Sequence, residues 1–225
     1  MTQRPDRDAG PGVCFVTDRT ATAGRGIVEV AVAAARGGVD FVQVREKDLD
    51  GGALLRLVSE LQAALAGLAG ARTRLLVNDR LDVALAAKTA GVHLPASGLP
   101  IEAARRHAGK KFLIGRSVHS LAEAKAAAKA GADYLIAGPV FPTPSKTAYG
   151  EPLGVAGLER IARAVRIPVW AIGGVTAETA SALAGLPLAG VAAIRAVAGA
   201  SDPAVAVRAL RQALAAPGAA APASS

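Results

Sequence analysis

Residues 42–48 read VQVREKD, an apolar run of β-forming residues that ends in a cluster of charged side chains. Two other stretches have the same design, VNDR at 77–80 and GRSVHS at 115–120. A (β/α)8 barrel gathers its chemistry at the C-terminal ends of successive parallel strands. The three stretches therefore predict such a barrel, with an active site where its strands end.

A fourth stretch, AIGGV at 171–175, places two glycines where a strand would lead into a helix. Backbone that approaches a phosphate closely needs glycine, which has no side chain in the way. Gly173 and Gly174, with Ile194 and Arg195 after the next strand, occupy the usual phosphate corner of these barrels. The four stretches together predict an enzyme that acts on a small phosphorylated substrate.

Strand-like and helical segments alternate along the whole chain, with no break long enough to be a linker. The strand candidates are Val13–Thr17, Phe41–Arg45, Arg74–Asn78, Gly91–Leu94, Phe112–Ser117, Tyr134–Gly138, Val169–Ile172 and Val191–Ile194. The helix candidates are Ile27–Gly37, Ala53–Leu68, Asp79–Ala87, Ile101–Ala108, Leu121–Ala130, Ala156–Ala164, Ala177–Ala184 and Pro203–Ala215. Strict alternation implies parallel strands with right-handed crossovers, so we expect an α/β fold, a single (β/α)8 TIM barrel. An open doubly wound sheet is the alternative.

The composition suits one domain of this kind. Of the 225 residues, 52% are hydrophobic and only 3% aromatic, so the core must consist of aliphatic side chains. We expect a catalytic barrel over residues 13–215, a disordered N-terminal segment over 1–12 and a disordered tail over 216–225.

The net charge of +8 favours anionic partners, either phosphorylated metabolites or nucleic acid; solvated arginines on helix faces are the alternative explanation. The basic residues are spread along the chain and aromatic residues are few, so we expect no nucleic acid partner. No apolar run reaches the length of a membrane span, so we expect no membrane partner. The single cysteine, Cys14, permits no intramolecular disulfide; we expect it to be buried and inert in a cytoplasmic enzyme.

Gln43, Arg45 and Lys47 alternate in sequence at the end of the second predicted strand, so at period two their side chains point the same way. Amide, guanidinium and ammonium groups together suit a carboxylate, a phosphate or a diphosphate. We therefore expect them to bind substrate. The alternative is a salt-bridge network with Glu46 and Asp48 that closes the end of the barrel.

Asn78 is the last residue of the third predicted strand and Asp79 directly follows it, so both can bind Mg2+ or a substrate amine at the strand end. Alternatively, Asp79 caps the next helix. Of the three histidines, His119 follows the fifth strand at the expected rim of the site and is the candidate general acid and base. His93 lies within a strand and His107 late in a helix, so we expect structural and solvated roles for them.

The longest loop in the middle of the chain contains Thr143, Ser145 and Lys146 among several prolines. Hydroxyl groups and an ammonium group on a stiff loop can clamp a phosphate. The alternative is an ordinary surface loop.

These motifs resemble the thiamine-phosphate synthase and thiazole tautomerase superfamily. The resemblance runs from VTDR at 16–19 to the last helix, through VQVREKD, VNDRLDVALA, GVHL, SVHS, GADYLIAGPVFPTPSK and AIGGV. It implies a (β/α)8 barrel with a role in making thiamine.

Synthases of this superfamily join a pyrimidine methyl diphosphate to a thiazole ethyl phosphate and release pyrophosphate with the help of Mg2+. The resemblance implies that the groups facing the pyrimidine diphosphate are Gln43, Arg45, Lys47, Asn78, Ser117 and Lys146. Asp79 would be one Mg2+ ligand. The thiazole phosphate would be held by Thr143, Ser145, Gly174 and the backbone of Ile194 and Arg195.

The chain departs from the synthase pattern after GVHL, where residues 95–100 read PASGLP. Ala96 and Gly98 stand where synthases usually have a Gln and the Asp that is the second metal ligand. Arg195 stands where synthases tend to have Ser, and Arg116 before Ser117 is similar to the tautomerase branch. Loss of a carboxylate that holds Mg2+ should impair departure of a diphosphate.

We therefore expect a thiazole tautomerase, which aromatises a carboxy-thiazole phosphate by a proton shift. His119 would act as base and acid, Arg45 or Lys47 would pair with the carboxylate, and no cofactor would be required. A synthase that uses Mg2+ is the first alternative, favoured if Glu46 or Asp48 completes a metal site. A non-catalytic barrel that binds thiamine intermediates is the second. We expect a small phosphorylated thiazole as substrate and assembly into a homo-oligomer.

Overall fold

The computed structural model describes residues 11–70, 72–143 and 151–215. Within these ranges, eight parallel strands form a closed barrel, in which each strand pairs with the next and the eighth pairs with the first. The strands are β1 (Gly12–Val16), β2 (Phe41–Val44), β3 (Arg74–Asn78), β4 (Gly91–Leu94), β5 (Leu113–Val118), β6 (Tyr134–Ala137), β7 (Val169–Ile172) and β8 (Gly190–Ala193). The predicted (β/α)8 TIM barrel is confirmed, and the open sheet is wrong.

The helices lie between successive strands. They are α1 (Ile27–Arg36), α2 (Gly51–Ala66), α3 (Leu81–Ala86), α4 (Ile101–Ala108), α5 (Leu121–Lys129), α6 (Gly154–Ala164), α7 (Ala177–Ala180), α8 (Arg195–Ala198) and α9 (Pro203–Ala215). None of the described helices is both long and apolar enough to cross a membrane. The predicted disordered ends fall largely on residues 1–10 and 216–225, which lie outside the described residues.

Local sequence signals set where several helices begin. Ser120 caps α5 by accepting a hydrogen bond from the backbone N–H of Glu123. Asp202 caps α9 through the backbone N–H groups of Ala204 and Val205, at 2.8 and 3.1 Å. Both caps satisfy N–H groups that have no partner inside the helix.

Two aspartates, Asp40 in GGVD and Asp133 in AGAD, stabilise the N-terminal end of the barrel. Asp40 accepts hydrogen bonds from the backbone N–H of Val13 and from the guanidinium of Arg211. Asp133 does the same with the backbone N–H of Ile114 and the guanidinium of Arg105. This end is therefore held by ion pairs, and the opposite end carries the candidate site.

Apolar side chains fill the lower part of the barrel interior. Phe41 and Trp170 meet edge to face, with 5.7 Å between their ring centroids. Cys14 lies in this layer, fully enclosed, and burial followed by the nearby charge of Asp40 raises the pKa of its thiol far above the ordinary value. The structure confirms the predicted buried cysteine, since a thiol with so high a pKa does not form the reactive thiolate.

Candidate active site

The C-terminal mouth of the barrel holds a polar cleft of about 480 Å3, built from the segments that follow β2 to β5. It is lined by Arg45, Glu46, Lys47, Leu49, Leu54, Asn78, Asp79, Arg80, Pro95, Ala96, Ser97, Ser117 and His119. We call this the polar cleft. It brings together predicted residues that are far apart in the chain, because parallel strands all end at the same rim.

A second cavity of about 220 Å3 occupies the other half of the mouth, where β1, β6, β7 and β8 end. It is lined by Asp18, Arg45, Thr143, Ile172, Gly173, Gly174, Val175, Thr176, Ala192, Ala193, Ile194, Arg195 and Ala196. We call this the glycine pocket. Arg45 lines both cavities, so its half-buried side chain lies at the boundary between them.

The acidic neighbours of Arg45 and Lys47 are engaged elsewhere. Arg19 donates from Nε to Glu46 at 3.2 Å and from Nη2 to Asp48 at 2.6 Å. The hydrogen bond from Arg19 lowers the pKa of the Asp48 carboxyl. Among the described residues, neither Arg45 nor Lys47 forms an ion pair, so the alternative of a charge network that neutralises them is wrong. Their charges can act on an anion in the cleft.

Gln43 lies inside the barrel directly below the mouth. Phe41 and Gln43 are two residues apart on β2, so both side chains face the interior. Gln43 is 2% exposed, and its Nε2 has no hydrogen-bond partner among the described residues. A buried amide of this kind is costly unless a ligand satisfies it. The position of Gln43 is consistent with the predicted contact between its side chain and the substrate.

Asp79 adopts the left-handed backbone conformation, with φ of +64°, directly after Asn78 at the end of β3. Its backbone N–H donates to the carbonyl of His93 at 2.8 Å. The N-cap of α3 is Arg80, and this helix has no side-chain cap. The capping alternative for Asp79 is therefore wrong, because the backbone turns away before the helix begins. Its carboxylate is exposed at the rim of the polar cleft.

His93 orients Ser117 from within the barrel. The His93 ring is 2% exposed, and its Nε2 lies 2.8 Å from the Ser117 hydroxyl, which lines the polar cleft. The predicted structural role of His93 thus includes positioning of a site residue. Spacing in the sequence could not show this, since the two residues belong to different strands.

His119 lies in the polar cleft, as its position after β5 predicts. Its Nδ1 meets the carbonyl oxygen of Gly138 in a hydrogen bond, so Nδ1 must carry the proton. In the neutral ring the lone pair is then on Nε2. The backbone N–H of His119 donates to the Glu123 carboxylate at 2.7 Å, which fixes the start of α5 beneath it.

The glycine pair forms one wall of the glycine pocket. Gly173 and Gly174 have φ values of +98° and +66°, and both lie against the segment that follows β6. A Cβ atom on Gly174 would lie 2.6 Å from Cβ of Phe141 and 2.9 Å from the carbonyl oxygen of Pro142. Arg195 begins α8 opposite this wall, with an exposed side chain. Backbone rather than side chains therefore shapes this pocket.

Replacement of Gly174 tests whether this wall needs glycine for stability and for ligand binding. Gly174→Ala is expected to lower the free energy of unfolding by about 1–3 kcal/mol, from left-handed strain and overpacking. It should also weaken binding of a phosphorylated ligand to the glycine pocket. Gly185→Ala is the matched control, since Gly185 has φ of +79° but open space around it. Urea unfolding and ligand titration of both variants measure the two effects, and equal effects on ligand binding would contradict the role of Gly174.

The remaining predicted residues come from the loop after β6. Thr143 lines the glycine pocket, a position from which it could make the predicted phosphate contact. Ser145 and Lys146 lie outside the described residues. Within the described ranges, no three His, Cys, Asp or Glu side chains come together as metal ligands. Glu46 and Asp48, the carboxylates considered as a second metal ligand, are both held by Arg19.

A closed barrel with a cationic cleft and a glycine-lined pocket at its C-terminal mouth defines a TIM-barrel enzyme for phosphorylated small molecules. The sequence profile of the thiamine monophosphate synthase family matches residues 13–197. The chain belongs to this family.

Individual relatives agree with the family match. The thiamine-phosphate synthase of Methanoculleus marisnigri is 45% identical over 92% of this chain and 97% of its own length. That of Roseiflexus castenholzii is 42% identical over 90% of this chain and 88% of its own. A solved structure of thiamine phosphate pyrophosphorylase from Pyrococcus furiosus superimposes with a TM-score of 0.80 at 36% identity, covering 90% of this chain and 95% of that one.

These findings correct the predicted branch. The predicted superfamily is right, but the prediction of a thiazole tautomerase, an isomerase with His119 as its proton shuttle, is wrong: the similar proteins are synthases. The missing carboxylate at Gly98 does not exclude the synthase reaction. Mg2+ is commonly held by one or two carboxylates, with substrate phosphates and water supplying its other ligands.

Proposed function

We propose that the chain is a thiamine-phosphate synthase, which joins a pyrimidine methyl diphosphate to a thiazole ethyl phosphate. The observation that carries the proposal is the division of the mouth into two cavities that meet at Arg45. A reaction between two phosphorylated substrates needs two anion sites whose reacting ends are adjacent. The family membership supports the same reaction.

The polar cleft suits the pyrimidine diphosphate. Arg45 and Lys47 supply positive charge, and Asn78 and Ser117 supply hydrogen bonds to phosphate oxygens. Lys146 remains a further proposed ligand from the sequence. The buried Nε2 of Gln43 is a donor that suits an acceptor nitrogen on the pyrimidine ring, which would thus be oriented with its methylene group toward Arg45.

The glycine pocket suits the thiazole phosphate. Gly173, Gly174 and the first residues of α8 offer backbone N–H groups and close approach, as phosphate binding requires. Ile194 and Arg195 contribute through this backbone. Thr143 adds a hydroxyl donor from the loop after β6. Ser145 remains a further proposed ligand from the sequence.

The reaction forms one bond and breaks one. The thiazole ring nitrogen donates its electron pair to the pyrimidine methylene carbon, and the bond between that carbon and the diphosphate oxygen breaks. The electron pair of the broken bond leaves with pyrophosphate, where Arg45 and Lys47 meet the growing negative charge. Charge stabilisation in a preorganised site is the main contribution that such residues can make. His119, with its lone pair on Nε2, would hold a protonated or water-bound oxygen of this leaving group.

Mg2+ fits the residues at this rim. Asp79 offers one exposed carboxylate next to the amide of Asn78, and a diphosphate with water would complete the coordination that Mg2+ prefers. When bound there, Mg2+ would neutralise charge on the departing pyrophosphate. We therefore propose Mg2+ as the cofactor, with Asp79 as its protein ligand.

Release of pyrophosphate tests the proposal. With purified protein, Mg2+ and both substrates, pyrophosphate should appear at a rate that falls to background when either substrate is omitted. Release in the absence of the thiazole phosphate would indicate a simple hydrolase and contradict the proposal. A coupled pyrophosphatase assay with colorimetric phosphate detection measures all three mixtures.

A further inference from the structure

The guanidinium of Arg116 binds three backbone carbonyls of one neighbouring loop. Nη1 donates to Pro95 at 2.6 Å and to Ala96 at 3.3 Å, and Nη2 donates to Leu99 at 2.9 Å. These carbonyls belong to residues 95–100, the connection between β4 and α4. Arg116 itself is fixed in β5, where its backbone pairs with Leu94 on one side and with β6 on the other.

The same loop lies against the proposed Mg2+ ligand. A Cβ atom on Gly98 would lie 3.1 Å from Oδ1 of Asp79 and 2.8 Å from Cδ of Pro95. Ala96 and Ser97 line the polar cleft beside Asp79. The loop thus forms the part of the cleft wall that lies directly against the Asp79 carboxylate.

The loop has few anchors of its own. Residues 96–98 are small, and its one internal backbone bond joins the N–H of Gly98 to the carbonyl of Pro95 at 2.8 Å. Pro100 is the N-cap of α4 and offers no side-chain cap. Charge-assisted hydrogen bonds from a planar guanidinium are about twice as strong as neutral ones, and they fix direction as well as distance. The position of this wall therefore depends on Arg116.

We infer that Arg116 is a positioning residue for the synthase reaction: it holds residues 95–100 against Asp79 and so shapes the site of the diphosphate and its metal. The inference rests on the proposed function. It also gives a role to the arginine whose place before Ser117 is similar to the tautomerase branch. Because position 98 offers no carboxylate here, correct placement of the wall matters more for the single ligand at Asp79.

Arg116→Met and Arg116→Lys test the inference, with Arg105→Met as the matched control. Arg105 is also a partly buried arginine that binds two backbone carbonyls, those of Gly109 and Phe112, at the opposite end of the barrel. It also pairs with Asp133, so its loss should lower stability at least as much as the loss of Arg116 while both KM values stay unchanged. Arg116→Met should raise KM for the pyrimidine diphosphate at least about tenfold and leave KM for the thiazole phosphate unchanged, since displaced walls disturb the reacting geometry. Arg116→Lys should give an intermediate value, because an ammonium group reaches fewer of the three carbonyls.

Two measurements do not depend on turnover. Calorimetric titration with pyrophosphate and Mg2+ should show weaker binding to Arg116→Met than to the wild type or Arg105→Met. Hydrogen exchange should be faster at the amides of residues 96–99 in both Arg116 variants. Should Arg116→Met fail to fold, the same measurements on Arg116→Lys decide the question.

A purely structural role would appear as a lower melting temperature for Arg116→Met with KM values and pyrophosphate affinity unchanged, and it would overturn the inference. Failure of the proposed function would give a different result. In that case the wild type makes no thiamine phosphate, while the comparison of pyrophosphate binding between wild type and variants still tests the loop contact.

Discussion

Asp79→Asn is expected to lower kcat/KM by about 100-fold or more, because the proposed Mg2+ ligand loses the charge that would hold the metal beside the departing pyrophosphate. The melting temperature should remain unchanged. Asparagine is nearly isosteric with aspartate and is tolerated at positive φ, so the backbone at +64° is retained. Steady-state kinetics over a range of Mg2+ concentrations, together with thermal unfolding, measure both effects.

The control for this prediction removes a carboxylate elsewhere. Glu60 is exposed on α2, remote from both cavities, so Glu60→Gln should leave kcat/KM and its Mg2+ dependence unchanged. An Asp79→Asn enzyme that keeps wild-type activity at every Mg2+ concentration would remove Asp79 from the mechanism.

Arg45→Met is expected to lower kcat/KM by about 100- to 1,000-fold, since Arg45 meets the charge that develops between the two substrates. Its side chain borders both cavities, so KM should rise for the pyrimidine diphosphate and for the thiazole phosphate. The local backbone should persist, because the N–H of Arg45 donates to the Thr17 hydroxyl at 2.9 Å independently of the side chain. Initial rates measured while each substrate is varied in turn separate the two KM values.

Arg36→Met is the matched control for Arg45→Met. Arg36 is an exposed arginine in the last turn of α1, at the opposite end of the barrel, and its loss changes the net charge by the same amount. It should have no effect on either KM. An effect of Arg45→Met confined to one substrate would contradict the position of Arg45 between the two sites.

The sequence predicted the strands well because each is an apolar run with clear polar boundaries. The bounds of β3, β4 and β7 agree with the prediction residue for residue. The strands β2 and β6 end one residue earlier than predicted, and β1, β5 and β8 are each shifted by one residue along the chain. The helix α8 was missed because four residues are too few to show a helical period. The predicted helix over Ala177–Ala184 is α7 followed by a 3-10 turn at Ser181–Leu183.

The sequence predicted those residues of the candidate site that lie at the ends of predicted strands. Gln43, Asp79 and His119 all lie where the carboxyl ends of β2, β3 and β5 place them. The partners of Arg116 and His93 could not be predicted, because each contact joins two different strand segments. The branch of the family was predicted wrongly because the absence of a carboxylate at Gly98 does not exclude Mg2+, whose other ligands can be substrate phosphates and water.

The most direct test is formation of thiamine phosphate itself. Purified, folded protein is incubated with Mg2+, the pyrimidine methyl diphosphate and the aromatic thiazole phosphate, and the product is detected by thiochrome fluorescence. A synthase should form thiamine phosphate in amounts equal to the pyrophosphate released, and product should be lost when Mg2+ is chelated. No thiamine phosphate from folded protein with both substrates and Mg2+ would contradict the proposed function.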